Sequence, residues 1–176
     1  MEATESMFAL QTLKVRGLYI AKGHSYIGRH GQPAGEHPIV EVPKVDCVSG
    51  RGLRGDRFFD YRDGYKGQVT FFAWETYREI CRALGVEGKP PSAFRRNVIT
   101  SGVDLNELIG REFEVQGVRF RGSEECRPCY WMEHAFAPGA HEFLKGRGGL
   151  RAEILSNGFL QTQPIPKGAY DHRCDD

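Results

Sequence analysis

Two cysteines flank an Arg-Pro pair in Cys126-Arg127-Pro128-Cys129, and they are the residues of this chain best suited to chemistry. A thiolate is the best nucleophile and soft-metal ligand among the side chains. Arg127 would favour an ionised sulfur if its guanidinium turned inward. Pro128 lacks an N–H and holds a fixed φ, so it stiffens the turn that presents Cys129. Several interpretations of the pair stand open. A zinc knuckle needs two more ligands at similarly tight spacing, whereas Cys47, Cys81 and Cys174 are single and scattered. A thiol–disulfide site should follow an early strand and open a long helix; this motif comes late, with Pro138-Gly139 close behind. A single reactive cysteine with a neighbour is the third interpretation. Two buried core cysteines are the fourth, and the Arg-Pro insertion weighs against it.

Other segments carry weaker signals. Phe94-Arg95-Arg96-Asn97 falls on an expected strand over 94–100, where alternation sends Arg95 and Asn97 to one face. Guanidinium and amide donors on one face suit an anionic ligand; a solvated strand edge suits the same residues. Gly55-Asp56-Arg57 is more often a turn with a structural ion pair than a catalytic dyad. Gly146-Arg147-Gly148-Gly149 offers backbone N–H groups to a phosphate but lacks the Lys-Ser/Thr of a P-loop. The histidines 24, 30, 37, 134, 141 and 172 form no metal-ligand spacing.

The elements that must position these residues are short. The 22 glycines favour turns over long helices. Strands are expected around Leu13–Ile20, Val45–Cys47 and Gln68–Phe72. Trp74, Tyr77, Ile80, Cys81 and Leu84 recur at helical spacing, and Gly85 would end that helix. Gly23 to Pro38 reads as a long loop, and Asp104–Leu108 as one helical turn. Ala140–Leu144 reads as a short helix. Gln116-Gly117 joins two strands as a hairpin, and Asn157-Gly158 predicts a second hairpin over 150–161. The whole is expected to be one mainly β domain spanning 1–176 with a few short helices, its termini 1–11 and 165–176 loose. A net charge of +1 argues against a dedicated nucleic-acid binder. The chain has no membrane-length apolar run and no signal-peptide pattern at its start. With an odd count of five cysteines, that predicts reduced thiols in the cytoplasm.

Read in order, these segments resemble the MOSC family, named for the C-terminal domain of molybdenum cofactor sulfurase. The likeness rests on Gly52-Leu53-Arg54-Gly55-Asp56-Arg57, Gly67-Gln68-Val69-Thr70 and Phe94-Arg95-Arg96-Asn97-Val98. It continues through Thr100 to Asn106, Gly110, Cys126 to Met132 and Arg147 to Arg151, covering roughly 45–160. The resemblance implies a closed, irregular mixed β-barrel of the pyruvate-kinase-barrel type. It implies a pocket with one characteristic cysteine, matched by Cys129, that ligates molybdenum in cofactor-binding relatives and relays sulfur in sulfurases. Arg95 and Asn97 match the segment that helps hold the pterin. The family often has another residue at the position of Cys126. Larger relatives carry an additional N-terminal barrel, and full sulfurases a pyridoxal-phosphate domain; neither is expected here, so no pyridoxal phosphate is expected from this chain.

The expected function is therefore that of a molybdenum-cofactor-binding oxidoreductase reducing N-hydroxylated or N-oxygenated compounds. Cys129 would ligate the metal, with Cys126 beside it as the second catalytic-site cysteine, and Arg95, Asn97 and Arg127 would serve the cofactor. Its partners would be a small-molecule substrate and an electron-donor protein, without nucleic acid or membrane. Two alternatives are a sulfur carrier taking persulfide sulfur from a donor protein, and a non-catalytic cofactor-binding module.

Overall fold

Phe71 and Phe72 are adjacent and both are fully buried, one in each of two separate cores. Strand alternation sends successive side chains to opposite faces, so a strand with both faces covered needs apolar residues at consecutive positions. Leu18–Tyr19 and Val98–Ile99 divide between the same two cores. The central sheet is thus sandwiched.

The computed structural model describes residues 8–9 and 12–163. The strands are β1 (Phe8–Ala9), β2 (Lys14–Ile20), β3 (Val40–Glu41), β4 (Lys44–Val48), β5 (Gly52–Leu53) and β6 (Val69–Ala73). They continue with β7 (Val98–Ser101), β8 (Glu112–Val115), β9 (Val118–Glu125), β10 (Leu150–Ile154) and β11 (Gly158–Gln161). The helices are α1 (Trp74–Leu84), α2 (Met132–Ala135) and α3 (Ala140–Phe143). Eight strands form one sheet in the order β1-β8-β9-β10-β6-β7-β2-β3, and β11-β4-β5 form a second. The small sheet contributes Val45, Cys47, Leu53 and Leu160 to the core on one face. The helices cover the other face through Tyr77, Ile80, Met132, Phe136 and Leu144. No helix among the described residues is long and apolar enough to cross a membrane.

The mainly β character agrees with expectation, but the sheets do not close into a barrel. The large sheet ends at β1 and β3. The break lies at Pro43, between β3 in the large sheet and β4 in the small one. Proline cannot donate to a ladder, and its carbonyl instead accepts from Thr162 of the segment after β11.

Two local expectations are also corrected. Residues 94–97 are not strand: a 3-10 turn over Pro91–Phe94 is capped by Arg95 in the left-handed region at φ 54°, and β7 starts only at Val98. Residues 150–161 are not a hairpin: β10 pairs with β9 and β6, whereas β11 pairs with β4. A tight Asn-Gly turn needs positive φ at both residues, and neither Asn157 nor Gly158 has it. The Asn157 side chain instead accepts from the Ser49 N–H, guiding the chain from one sheet to the other. The turn at Gln116-Gly117 does have positive φ at both positions, and it joins β8 to β9. Of the expected loose N-terminal segment, Phe8–Ala9 pairs in parallel with β8. The remainder of 1–11, together with 164–176, lies outside the described residues, and Cys174 and His172 lie there too.

Candidate functional site

Cys126 and Cys129 have opposite environments. Cys126 follows β9 and is buried, with its N–H donating to Gly149 O at 2.7 Å. Its carbonyl accepts from the buried Arg96, whose Nη2 lies at 2.9 Å. The same guanidinium donates through Nε to Gly148 O at 3.0 Å and through Nη1 to Phe94 O at 3.0 Å. Arg96 therefore clamps three loops together. A Cβ on Gly148 would sit 2.4 Å from Cys126 O, so only glycine permits the approach. The Gly148 N–H is directed at Glu125 Oε1 at 3.2 Å. Within the glycine run, Gly148 thus packs against the cysteine loop.

Beyond Pro128 the chain rises to Cys129, the one exposed thiol among the four described cysteines. Its carbonyl accepts from Met132 N at 3.0 Å, so the cysteine opens the turn that leads into α2. Arg127 is exposed and is not among the residues lining the cleft beside Cys129. Arg96 holds the Cys126 carbonyl, and Arg151 hydrogen-bonds the Cys126 side chain. The described residues hold no group of three or more His, Cys, Asp or Glu placed to take a metal ion, so they provide no zinc knuckle.

The cleft at Cys129 has a volume of about 150 Å³ and is lined by Arg57, Arg95 and Arg96, with His24, Tyr26 and Trp131 among its other walls; none of its lining residues is acidic. The nearby counter-charge is Asp56, fully buried beneath it. Asp56 Oδ2 accepts from Ala21 N at 3.1 Å, Asn97 Nδ2 at 3.1 Å and Arg57 Nη1 at 3.2 Å; Oδ1 accepts from Phe58 N at 3.1 Å. Arg57 Nη2 donates to Arg95 O at 3.1 Å. Arg95 is held by His37 O at 2.9 Å and Gly23 O at 3.0 Å, both on the long loop. Three guanidinium groups against one carboxylate leave the cleft strongly positive. Burial and then the charge of neighbouring Arg96 lower the Arg57 pKa, although Asp56 opposes the shift. Burial and Arg57 lower that of Arg95. Burial, then Arg57 and Arg95, push the His24 imidazole below its ordinary range.

Arg95 therefore lines the cleft, while Asn97 lies beneath it. Both Asn97 Nδ2 protons are used, on Tyr19 O and Asp56. Its Oδ1 accepts from Thr70 N and Thr70 Oγ1. Sequence reasoning did not identify Arg57, His24, Tyr26 or Trp131 as site residues. Gly55-Asp56-Arg57 was the visible trace of the first, and the structural ion pair expected there is the Asp56–Arg57 contact. His24 and Tyr26 lie on a loop without pattern.

The MOSC domain model matches residues 55–163, more than half of the chain. The chain belongs to the MOSC domain family. Among solved structures, the YuaD protein from Bacillus subtilis is similar with a TM-score of 0.67 at 22% identity, over 85% of this chain and 91% of that one. YiiM from Geobacillus stearothermophilus gives a TM-score of 0.60 at 12% identity, over 85% of this chain and 71% of that one. YiiM from Escherichia coli gives 0.56 at 17% identity, over 83% and 65%. At these identities the likeness shows a shared fold. No match was found among curated proteins. MOSC domains are associated with the molybdenum cofactor, an anionic pterin that carries the metal. An accessible thiol in a cleft with three guanidinium groups and no acidic wall suits the metal-bearing, anionic end of such a group.

Proposed function

We infer that this MOSC protein binds the molybdenum cofactor at the Cys129 cleft and reduces N-hydroxylated or related N-oxygenated compounds. The observation that carries this reading is the exposed Cys129 thiol beside Arg57, Arg95 and Arg96. Cys129 would ligate the metal through sulfur. Arg57 and Arg95 would bind the anionic end of the pterin, and Asn97 would act from below by fixing Asp56 and hence Arg57. When bound, the cofactor supplies two-electron redox chemistry. The overall reaction breaks the N–O bond: two electrons from a donor protein and two protons convert R–NHOH to R–NH2 and water. Purification from a cofactor-producing host, with molybdenum and pterin assayed per chain, tests the reading. Near-stoichiometric amounts of both are expected, and their absence from well-folded protein would overturn it.

The exposure of Cys129 also favours a second reading, in which the thiolate carries a persulfide received from a sulfur donor. Sulfur uptake on Cys129 by cofactor-free protein, together with no reduction of N-hydroxylated compounds by loaded protein, would select it. Full cofactor occupancy with neither activity would select the non-catalytic binding module.

A further inference from the structure

A second cavity, of about 460 Å³, adjoins the thiol cleft and shares Tyr26, Trp131 and Ala135 with it. Its character is different. Tyr130, Trp131 and His134 line it together with Gln32, and no Asp, Glu, Lys or Arg does. The rings are mutually braced. Tyr26 and Trp131 have centroids 4.8 Å apart at 35°, Trp131 and His134 are 5.9 Å apart, and Tyr130 meets His134 edge-on at 5.0 Å. The Tyr130 hydroxyl and His134 Nε2 are 2.7 Å apart. Arg95 lies over the Tyr26 ring, 5.6 Å from its centroid, so the basic cleft and the aromatic wall are built on one another.

The turn that begins at Cys129 fixes this arrangement. The N–H groups of Glu133 and His134 donate to Tyr130 O and Trp131 O, both at 3.1 Å. Helical spacing then places residues 130 and 134, and residues 131 and 134, on one face. Cys129, Tyr130 and Trp131 are consecutive residues of a single turn. Tyr130 remains 49% exposed, so a large aromatic side chain presents a face and a hydroxyl to the cavity without being consumed by packing.

We propose that the cavity walled by Tyr26, Tyr130, Trp131 and His134 is a subsite for a neutral, planar aromatic group carrying a hydrogen-bonding edge. Aromatic faces select flat π-systems. The uncharged lining offers an ionised group no partner, and the neighbouring guanidinium groups repel cations. The Gln32 amide and the Tyr130–His134 pair offer the polar edge its donors and acceptors. The ligand's reacting end would then lie towards Cys129. That last assignment rests on the reductase reading, whereas binding of the ring depends on this chain alone.

Ligand-observed saturation-transfer NMR on cofactor-free protein tests the subsite with benzamide, cyclohexanecarboxamide and benzamidinium. Benzamide should bind, while the non-planar amide and the cation give little or no signal. Trp131→Leu and, separately, Tyr130→Leu should each weaken benzamide binding about fivefold, the effect of losing one aromatic contact, with thermal unfolding confirming a folded variant. Equal binding of benzamide and cyclohexanecarboxamide would overturn the proposal, as would full benzamide binding in folded Trp131→Leu and Tyr130→Leu proteins. Molybdenum and pterin occupancy is measured separately: selective benzamide binding without cofactor upholds the subsite and defeats the reductase reading. Full occupancy without benzamide binding does the reverse.

Discussion

Asn97 Nδ2 donates to Asp56 Oδ2 at 3.1 Å, and this bond ties the buried carboxylate to the strands beneath the basic cleft. Asp56 in turn holds Arg57 at 3.2 Å. A residue that lies under the site thereby controls one that lines it. Truncating Asn97 to Ala removes partners from Asp56, Thr70 and Tyr19 at once. Each buried polar group left unsatisfied costs about 1–3 kcal/mol, so Asn97→Ala should lose about 3 kcal/mol or more by urea unfolding. Arg95→Ala removes two bonds to carbonyls from a half-buried side chain, and should cost only about 1 kcal/mol while lowering cofactor occupancy. Equal stability of the two variants would show that Asn97 is not a structural keystone.

His24 reports the charge of the cleft. Its pKa lies below 6.5 because of burial first and Arg57 and Arg95 next. A depressed histidine stabilises the fold above the unfolded value near 6.5, and that contribution is lost as pH falls through the lowered folded value. NMR titration should find the His24 midpoint below the ordinary range. Arg95→Ala should raise it part of the way, since burial remains. An anion bound in the cleft should raise it too, by neutralising the same field. An unmoved midpoint in Arg95→Ala would show that the arginine charge does not reach the imidazole.

Alkaline stability depends on the core. Burial, aided by Asp46, pushes the Cys47 thiol from 9.0 up to about 12. Burial, with Glu41, raises Tyr19 from 10.0 to about 12. Both groups are neutral in the fold at ordinary pH. Their contribution is complete below the unfolded values and is lost as pH rises towards the folded ones. The stability difference between wild type and Cys47→Ala should therefore shrink progressively from about pH 9 towards pH 12. A constant difference across that range would contradict a protected thiol.

Much of the frame was legible in the sequence because single residues determine it. Gly85 adopts φ 61° and closes α1 as its position implies, and Gln116-Gly117 makes its hairpin. Where tertiary context decides, sequence patterns misled. Asn157-Gly158 has the composition of a tight turn, but β11 finds its partner in β4, more than a hundred residues away. Arg95 and Asn97 looked like neighbours on one strand face, yet the left-handed backbone at Arg95 separates them into wall and support. Cys129 was singled out by its motif together with the family resemblance. Its three arginines come from two distant segments, and only the fold of Arg57 against Arg95 brings them together.

The two cysteines of the motif should separate cleanly in chemistry. Cys129 is exposed, and Cys47, Cys81 and Cys126 are buried. Among these four cysteines of native, cofactor-free protein, iodoacetamide should modify Cys129 first, with the three buried thiols reacting only on unfolding; peptide mapping by mass spectrometry distinguishes the sites. Cofactor loading should protect Cys129, because a metal-bound sulfur is no longer a free nucleophile. Cys129→Ser should abolish metal retention with little change in stability, since an exposed substitution stays within about 0.5 kcal/mol. Cys126→Ser should show the converse. The buried hydroxyl would meet Arg151 in a loop clamped by Arg96, and stability should fall by about 1 kcal/mol while metal is retained at a reduced level. Complete metal loss in both variants, with an intact Cys126–Cys129 disulfide isolated from the wild type, would instead identify a dithiol redox pair.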